Sequence, residues 1–448
     1  MPILDRLVSL LGGRRLVQAR PGVGWLVAEV VPAAVWSNIT GAMSMEFYYF
    51  VAYLTLLGAD NATLAWLPLM VFAGGVFQAV LVLKNPPSDP RRHSIRHTIV
   101  ARCCWLTTVL WPLVGLALGA PTSWILFGVF VAVFATHAIN MAAVSTFITW
   151  TQAVVPSEDR GVFFAIRNLI SFLVVATLLY TVSWILPAGG SASDGDQLPA
   201  LMWLLGGATV IGILGIIPLM RTPVFPVEHR IASYPPILPQ LRGNRAVIRL
   251  TAWMMLVMVA MAASAAYQPK LFIEAGVQPA MMAAWQGKGM YPGMVAGILA
   301  AGWLIPRLGG ARALVASHVL ILTSEAAMLL LSPERIAWML PVVLGVSGLA
   351  KGVWSVSYIS RLHEVMPRRD PRFLAILQAS ASLAGVAMAL SLYGLVPLVE
   401  SWIAAHPGVP SLAWFMVALG VVVRVASTPL LSLRDAPQRD LTAVQTSS

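Results

Sequence analysis

The chain of 448 residues is 58% hydrophobic and only 10% charged, against roughly a quarter charged in ordinary soluble domains, so most of it cannot face water. Its formal net charge of +11 is spread over short segments between apolar runs, which argues against a nucleic-acid partner and for orientation in a membrane. Cys103 and Cys104 are adjacent inside an apolar stretch, can neither staple a loop nor make a metal site by themselves, and are read as packing residues.

In chain order, residues 1–24 carry apolar Ile3, Leu4, Leu7, Leu10 and Leu11 interrupted by Asp5 and Arg6, with no small-residue cleavage site; an interfacial or loose cytoplasmic segment is expected. Apolar runs bounded by Gly, Pro, Asp or Arg clusters follow near 28–57, 62–83, 98–119, 122–153, 162–187 and 199–219. After a stretch rich in proline and arginine, further runs fall near 247–268, 280–305, 313–331, 336–362, 373–399 and 411–432. A bilayer core of about 30 Å takes about 20 apolar residues per helix, so each run can cross once. The expected fold class is an all-α polytopic membrane protein with twelve transmembrane helices in two six-helix pseudo-repeats. Its bundles would occupy 25–219 and 247–433, joined by a cytoplasmic linker over 220–246 and followed by a tail over 434–448.

Charge sets the orientation. With the N-terminus inside, most Lys and Arg fall in cytoplasmic segments, and the opposite loops keep only Lys270 and Arg335 among acids such as Asp60, Asp194, Asp196, Glu274 and Glu334. Both termini are therefore expected in the cytoplasm. An internal repeat supports the two halves: TQAVVPSEDRGVFFAI resembles SRLHEVMPRRDPRFLAI, pairing Pro156 with Pro367 and Asp159 with Asp370. Parallel repeats of this kind place a transporter's site at mid-depth between them.

An ionisable group at mid-membrane is costly and marks a pathway or a pair. Glu46 lies mid-way along the first run, and at about 100° per residue Asn38, Glu46, Tyr49 and Tyr53 share one stripe. Lys351 lies mid-way along the tenth, on a face with Ser347, Trp354 and Tyr358. The repeat offset sets Lys351 opposite Asn140, one turn after His137. Lys288 sits in the outer part of the eighth run beside Trp285 and Tyr291, facing a solute or snorkelling outward. Each of these groups has a structural alternative, an internal pair or an interhelical hydrogen bond. Two lysines against one glutamate would give a positive site and favour an anionic solute. Arg102 and Arg424 are read as snorkelling, and Glu325 and His318 as structural or as an oligomer contact.

The segment GILAAGWLIPRLGGAR, with Gly297, Gly302, Arg307, Gly309, Gly310 and Arg312, resembles the loop between the eighth and ninth helices of the major facilitator superfamily. Pro306 stands where that family often has an acid. A first-half copy keeps only Asp89 and Arg91-Arg92. The resemblance covers Trp25 to about Leu433 and implies alternating access around a cavity lined by the first, fourth, seventh and tenth helices. The repeated loops place Asp159, Arg160, Asp370 and Arg372 at the cytoplasmic ends of helices, where their charges either gate by pairing across the bundle or are simply solvated; Arg307 and Arg312 of the loop motif are counted with the gating residues. The signatures of proton-linked drug exporters, peptide symporters and sugar porters are missing, so the subfamily stays open.

No GxSxG, HExxH or Walker sequence is present, and no cofactor or metal is expected. The expectation is a bacterial-type inner-membrane carrier of a small-molecule solute, powered by an ion gradient, protons included, or by the solute's own gradient. Oligomerisation is not required. A membrane-embedded transferase and a transport-dead sensor or scaffold are the alternatives.

Overall fold

The computed structural model describes residues 3–41, 48–84, 89–156, 159–186, 194–224, 244–365 and 371–432, and among them the only regular elements are helices. Ten helical spans are long and apolar enough to cross a membrane. They are the second (Trp66–Lys84), third (Pro90–Ala117), fourth (Thr122–Val154), fifth (Arg160–Ile185), sixth (Asp194–Leu214, continued by Ile216–Arg221), seventh (Arg245–Ser264, continued by Tyr267–Glu274), ninth (Gly310–Met328), tenth (Ile336–Val365), eleventh (Pro371–Ala405) and twelfth (Leu412–Ser432). The other two are divided. The first runs Val30–Thr40 and Tyr48–Leu56, its first piece closing on Gly41 at φ 74°; the eighth carries a π-helical segment, Gln286–Met290, between Pro279–Trp285 and Tyr291–Leu308.

The expected twelve helices are thus present, with shifted ends. The third begins eight residues before its apolar run, because Asp89 accepts a hydrogen bond from the Arg92 amide at 3.0 Å and caps a helix that carries the basic residues Arg91 to His97. Asn244 caps the seventh span through the Ala246 and Val247 amides.

In the first half, span 4 packs on spans 2 and 3, and span 1 on spans 5 and 6; in the second, span 10 packs on spans 8 and 9, and span 7 on spans 11 and 12. The halves meet along spans 2 and 11 and along spans 5 and 8, pairs that the repeat makes equivalent. Glycine permits the tightest of the contacts within a half. A side chain at Gly297 would strike the Leu349 carbonyl and one at Gly352 the Met294 carbonyl, so spans 8 and 10 touch backbone to backbone.

Leu430 and Leu431 at the end of span 12 pack near Leu362 and Phe373, and the N-terminal Val8, Leu16 and Val17 pack on Trp150, Val154 and Phe163. Both described ends therefore lie on one face of the molecule. We call it the terminal face and its opposite the far face.

Candidate functional site

Where span 1 breaks at Gly41, its flanking residues cross to the other half. Asn38 donates through Nδ2 to its own helix at the Ala34 carbonyl (2.9 Å) and accepts through Oδ1 from the Tyr291 hydroxyl of span 8 (3.0 Å). Tyr49, beyond the break, donates its hydroxyl to Gln286 Oε1 of span 8 at 3.1 Å. Gln286 opens the π segment of span 8 and Tyr291 follows it. Both are buried, and the Phe172 ring of span 5 lies 6.2 Å from that of Tyr291. Two interrupted helices thus face each other across the halves with an amide, two phenols and an amide between them. Interrupted helices are where a transporter fold places its site.

Among the described residues, hydrogen bonds join the halves on both sides of this layer. Toward the far face, the Tyr48 hydroxyl donates to the Val277 carbonyl at 2.6 Å, the Tyr267 hydroxyl to the Asn61 carbonyl at 3.1 Å, and the Asn61 amide to Glu400 at 2.8 Å. Toward the terminal face, Gln78 donates to the Ala375 carbonyl at 3.2 Å, and the Ser145 hydroxyl reaches Gln78 and Gln378, each at 3.4 Å. Trp354 and Tyr358 stack with ring centres 5.1 Å apart in a cluster that includes Ile148 of span 4, so they fill the junction between spans 4, 7 and 10.

The residues read from the sequence are distributed unevenly over this arrangement. Asn38 and Tyr49 belong to the cross-half layer, whereas Tyr53 turns into its own half and donates to the Thr108 carbonyl at 3.0 Å. His137 is 2% exposed, its ring edge-on to Trp105 at 6.3 Å, and neither ring nitrogen has a hydrogen-bond partner among the described residues. Asn140 is buried on the same helix. Lys288 is exposed, with Nζ 5.0 Å from the ring centre of half-exposed Tyr180. Lys351 lies within electrostatic reach of Arg424. Glu46 and Asp370 fall outside the described residues. Arg160 opens span 5, with Asp159 before it, and Arg372 lies in the first turn of span 11; Arg307 folds back over Trp303 of its own helix, 4.2 Å from the ring centre, and Arg312 lies at the start of span 9. Among the described residues no three His, Cys, Asp or Glu side chains converge as a metal site would require.

Two buried charge clusters went unread. Arg102, expected to snorkel, is 3% exposed: its Nη2 meets Glu29 Oε1 at 2.9 Å, while Arg167 Nη2 meets Glu29 Oε2 at 3.0 Å. The remaining Nη1 groups donate to the Gly212 and Leu26 carbonyls, and the guanidiniums lie over Trp36 and Phe147. Arg424, also expected to snorkel, is 6% exposed; its Nε lies 2.7 Å from Glu325 Oε2, an ion pair by distance whose N–H is not aligned for a hydrogen bond. His318 Nε2 lies 3.2 Å from the Arg424 carbonyl oxygen.

The described helices form two repeated halves that meet around this polar layer, an arrangement shared with solved structures of the major facilitator fold. A mutant of the nucleoside transporter NupG superimposes with a TM-score of 0.64 at 11% identity, covering 91% of this chain and 98% of that one. A D-xylose-proton symporter gives 0.62 at 14% (90% and 96%), and FucP in its outward conformation 0.56 at 13% (93% and 100%). No family model and no curated protein sequence matches the chain.

Proposed function

We propose that the chain is a secondary transporter that moves a small polar solute across a bacterial-type inner membrane by alternating access, with both termini in the cytoplasm. The observation that carries this reading is the pair of hydrogen bonds joining Asn38 to Tyr291 and Tyr49 to Gln286 at facing helix interruptions. Each pair offers a solute hydroxyl or amide both a donor and an acceptor once the halves part. The Phe172 ring beside Tyr291 gives a sugar or base a flat apolar wall, and the stacked Trp354 and Tyr358 lie further toward the terminal face.

A charged solute has less support. Lys288 lies on the flank against Tyr180, so the positive balance expected at the site reduces to Lys351 against Glu46, and a neutral solute fits better. Nucleosides and pentoses are the first candidates, since the superimposed transporters include a nucleoside transporter and a D-xylose-proton symporter.

Uptake of labelled nucleosides and pentoses into proteoliposomes tests the reading, with Gln286→Leu and Tyr291→Phe expected to lower affinity about tenfold each while the protein stays folded, as befits a hydrogen bond worth about 1.4 kcal/mol. Chemical conversion of the solute without net flux would point to the transferase, and binding without flux to a sensor. We also propose Glu46 as the proton carrier: Glu46→Gln should spare binding and remove the response to an imposed pH gradient. Orientation is tested by single cysteines at Ser193, expected to label from outside, and Ser233, expected to label only after permeabilisation.

A further inference from the structure

The N-terminal segment is apolar on two sides. Its inner side, Val8, Leu16 and Val17, is buried against the ends of spans 4, 5 and 6, and Asp5, 1% exposed, accepts the Gly22 and Gly24 amides at 2.9 Å each. The side chain of Arg20 donates to the Val154 carbonyl at 3.0 Å, tying the segment to the last turn of span 4, just before Asp159. Its outer side exposes Ile3 (85%), Leu7 (45%) and Leu10 (84%), large aliphatic residues. Arg6, Arg14 and Arg15 are exposed around them.

Water alone is a poor partner for such a surface. Aliphatic side chains ringed by guanidiniums match the boundary of a bilayer with anionic headgroups, where the chains enter the acyl region and the arginines meet phosphates. The segment sits on the terminal face beside spans 5 and 6, whose neighbouring Val162, Ile217 and Met220 are exposed in the same way. We propose that residues 3–15 dock on anionic phospholipid at the terminal face, and that this docking braces the connection between spans 4 and 5. The brace continues inward: Leu26 lends its carbonyl to Arg167 of span 5, and Glu29 holds the same arginine. Anionic lipid therefore favours the arrangement in which that connection is held against the segment.

The test uses the full-length protein with Cys103 and Cys104 replaced by serine and an environment-sensitive fluorophore on Leu10→Cys. It is reconstituted in phosphatidylcholine alone or mixed equally with phosphatidylglycerol. Brominated acyl chains are expected to quench the probe, and more strongly in the anionic vesicles. Arg6→Ala and Arg14→Ala should each lower the docked-to-undocked ratio about fivefold there, the effect of one basic residue near an anionic surface. A second probe on Ser157→Cys, in the span 4–5 connection, should become more accessible in phosphatidylcholine alone. Quenching by aqueous iodide instead of brominated lipid, or a disulfide joining two unlabelled copies of the Leu10→Cys variant, would overturn the proposal, as would docking that ignores lipid charge or leaves the second probe unchanged.

Discussion

Glu29 meets two guanidinium groups with a single carboxylate, and all three are buried. Such a cluster gains little net stability by existing, but removing the acid leaves two cations facing each other without compensation. Glu29→Gln is therefore expected to destabilise the folded protein by roughly 3–5 kcal/mol, read as a fall in thermal unfolding temperature in detergent. Replacing Glu29, Arg102 and Arg167 together by apolar residues should recover much of that loss, which separates a missing countercharge from missing packing. The cluster was hidden in the sequence because Glu29 stands just before span 1 while Arg102 and Arg167 lie on spans 3 and 5, and no periodicity within one helix reports a partner on another. Arg102 read as a snorkelling residue from its distance to the helix end alone.

At the scale of elements, hydropathy gave the spans, but the direction of individual side chains failed where a helix is irregular. Counting about 100° per residue assumes an unbroken α-helix. The left-handed Gly41 resets that phase, so Asn38 and Tyr49 both reach span 8 while Tyr53, counted on the same stripe, turns to span 3. The π segment of span 8 has the same effect, since a π turn holds more residues than an α turn; Lys288 ends on the flank, and Gln286 turns inward. Gly297, legible as part of a loop motif, owes its place here to packing: it lets span 8 lie on span 10. Gly352→Leu should overpack that contact and cost at least about 1–3 kcal/mol, with the unfolding temperature as the measure and Gly302→Leu, which has open space around it, as a near-neutral control.

For the whole molecule, the two hydrogen-bonded sides of the polar layer make opposite predictions. Tyr48→Phe removes the hydroxyl that holds the Val277 carbonyl at the far face, and Gln78→Leu removes the amide that holds span 11 near the terminal face. A hydrogen bond worth about 1 kcal/mol corresponds to about a fivefold shift in a two-state population. Tyr48→Phe should therefore raise far-face accessibility, and Gln78→Leu accessibility from the terminal face, by about that factor in cysteine-labelling rates. Equal changes on both faces would mean that the contacts stabilise the fold and not one conformation.

The break at Gly41 divides the allegiance of span 1. Below it, Glu29 is bolted to spans 3 and 5 while Asn38 reaches span 8; above it, Tyr48 and Tyr49 are tied to the opposite half while Tyr53 returns to span 3. A rotation of one half against the other therefore twists the middle of this helix, between the ties of Glu29 and Tyr53 to its own half and those of Asn38, Tyr48 and Tyr49 to the other. The twist has a natural place to concentrate, at a glycine whose backbone already tolerates positive φ. Stiffening that point, as Gly41→Ala would by penalising the left-handed conformation, should slow the exchange between states more than it alters the stability of either half.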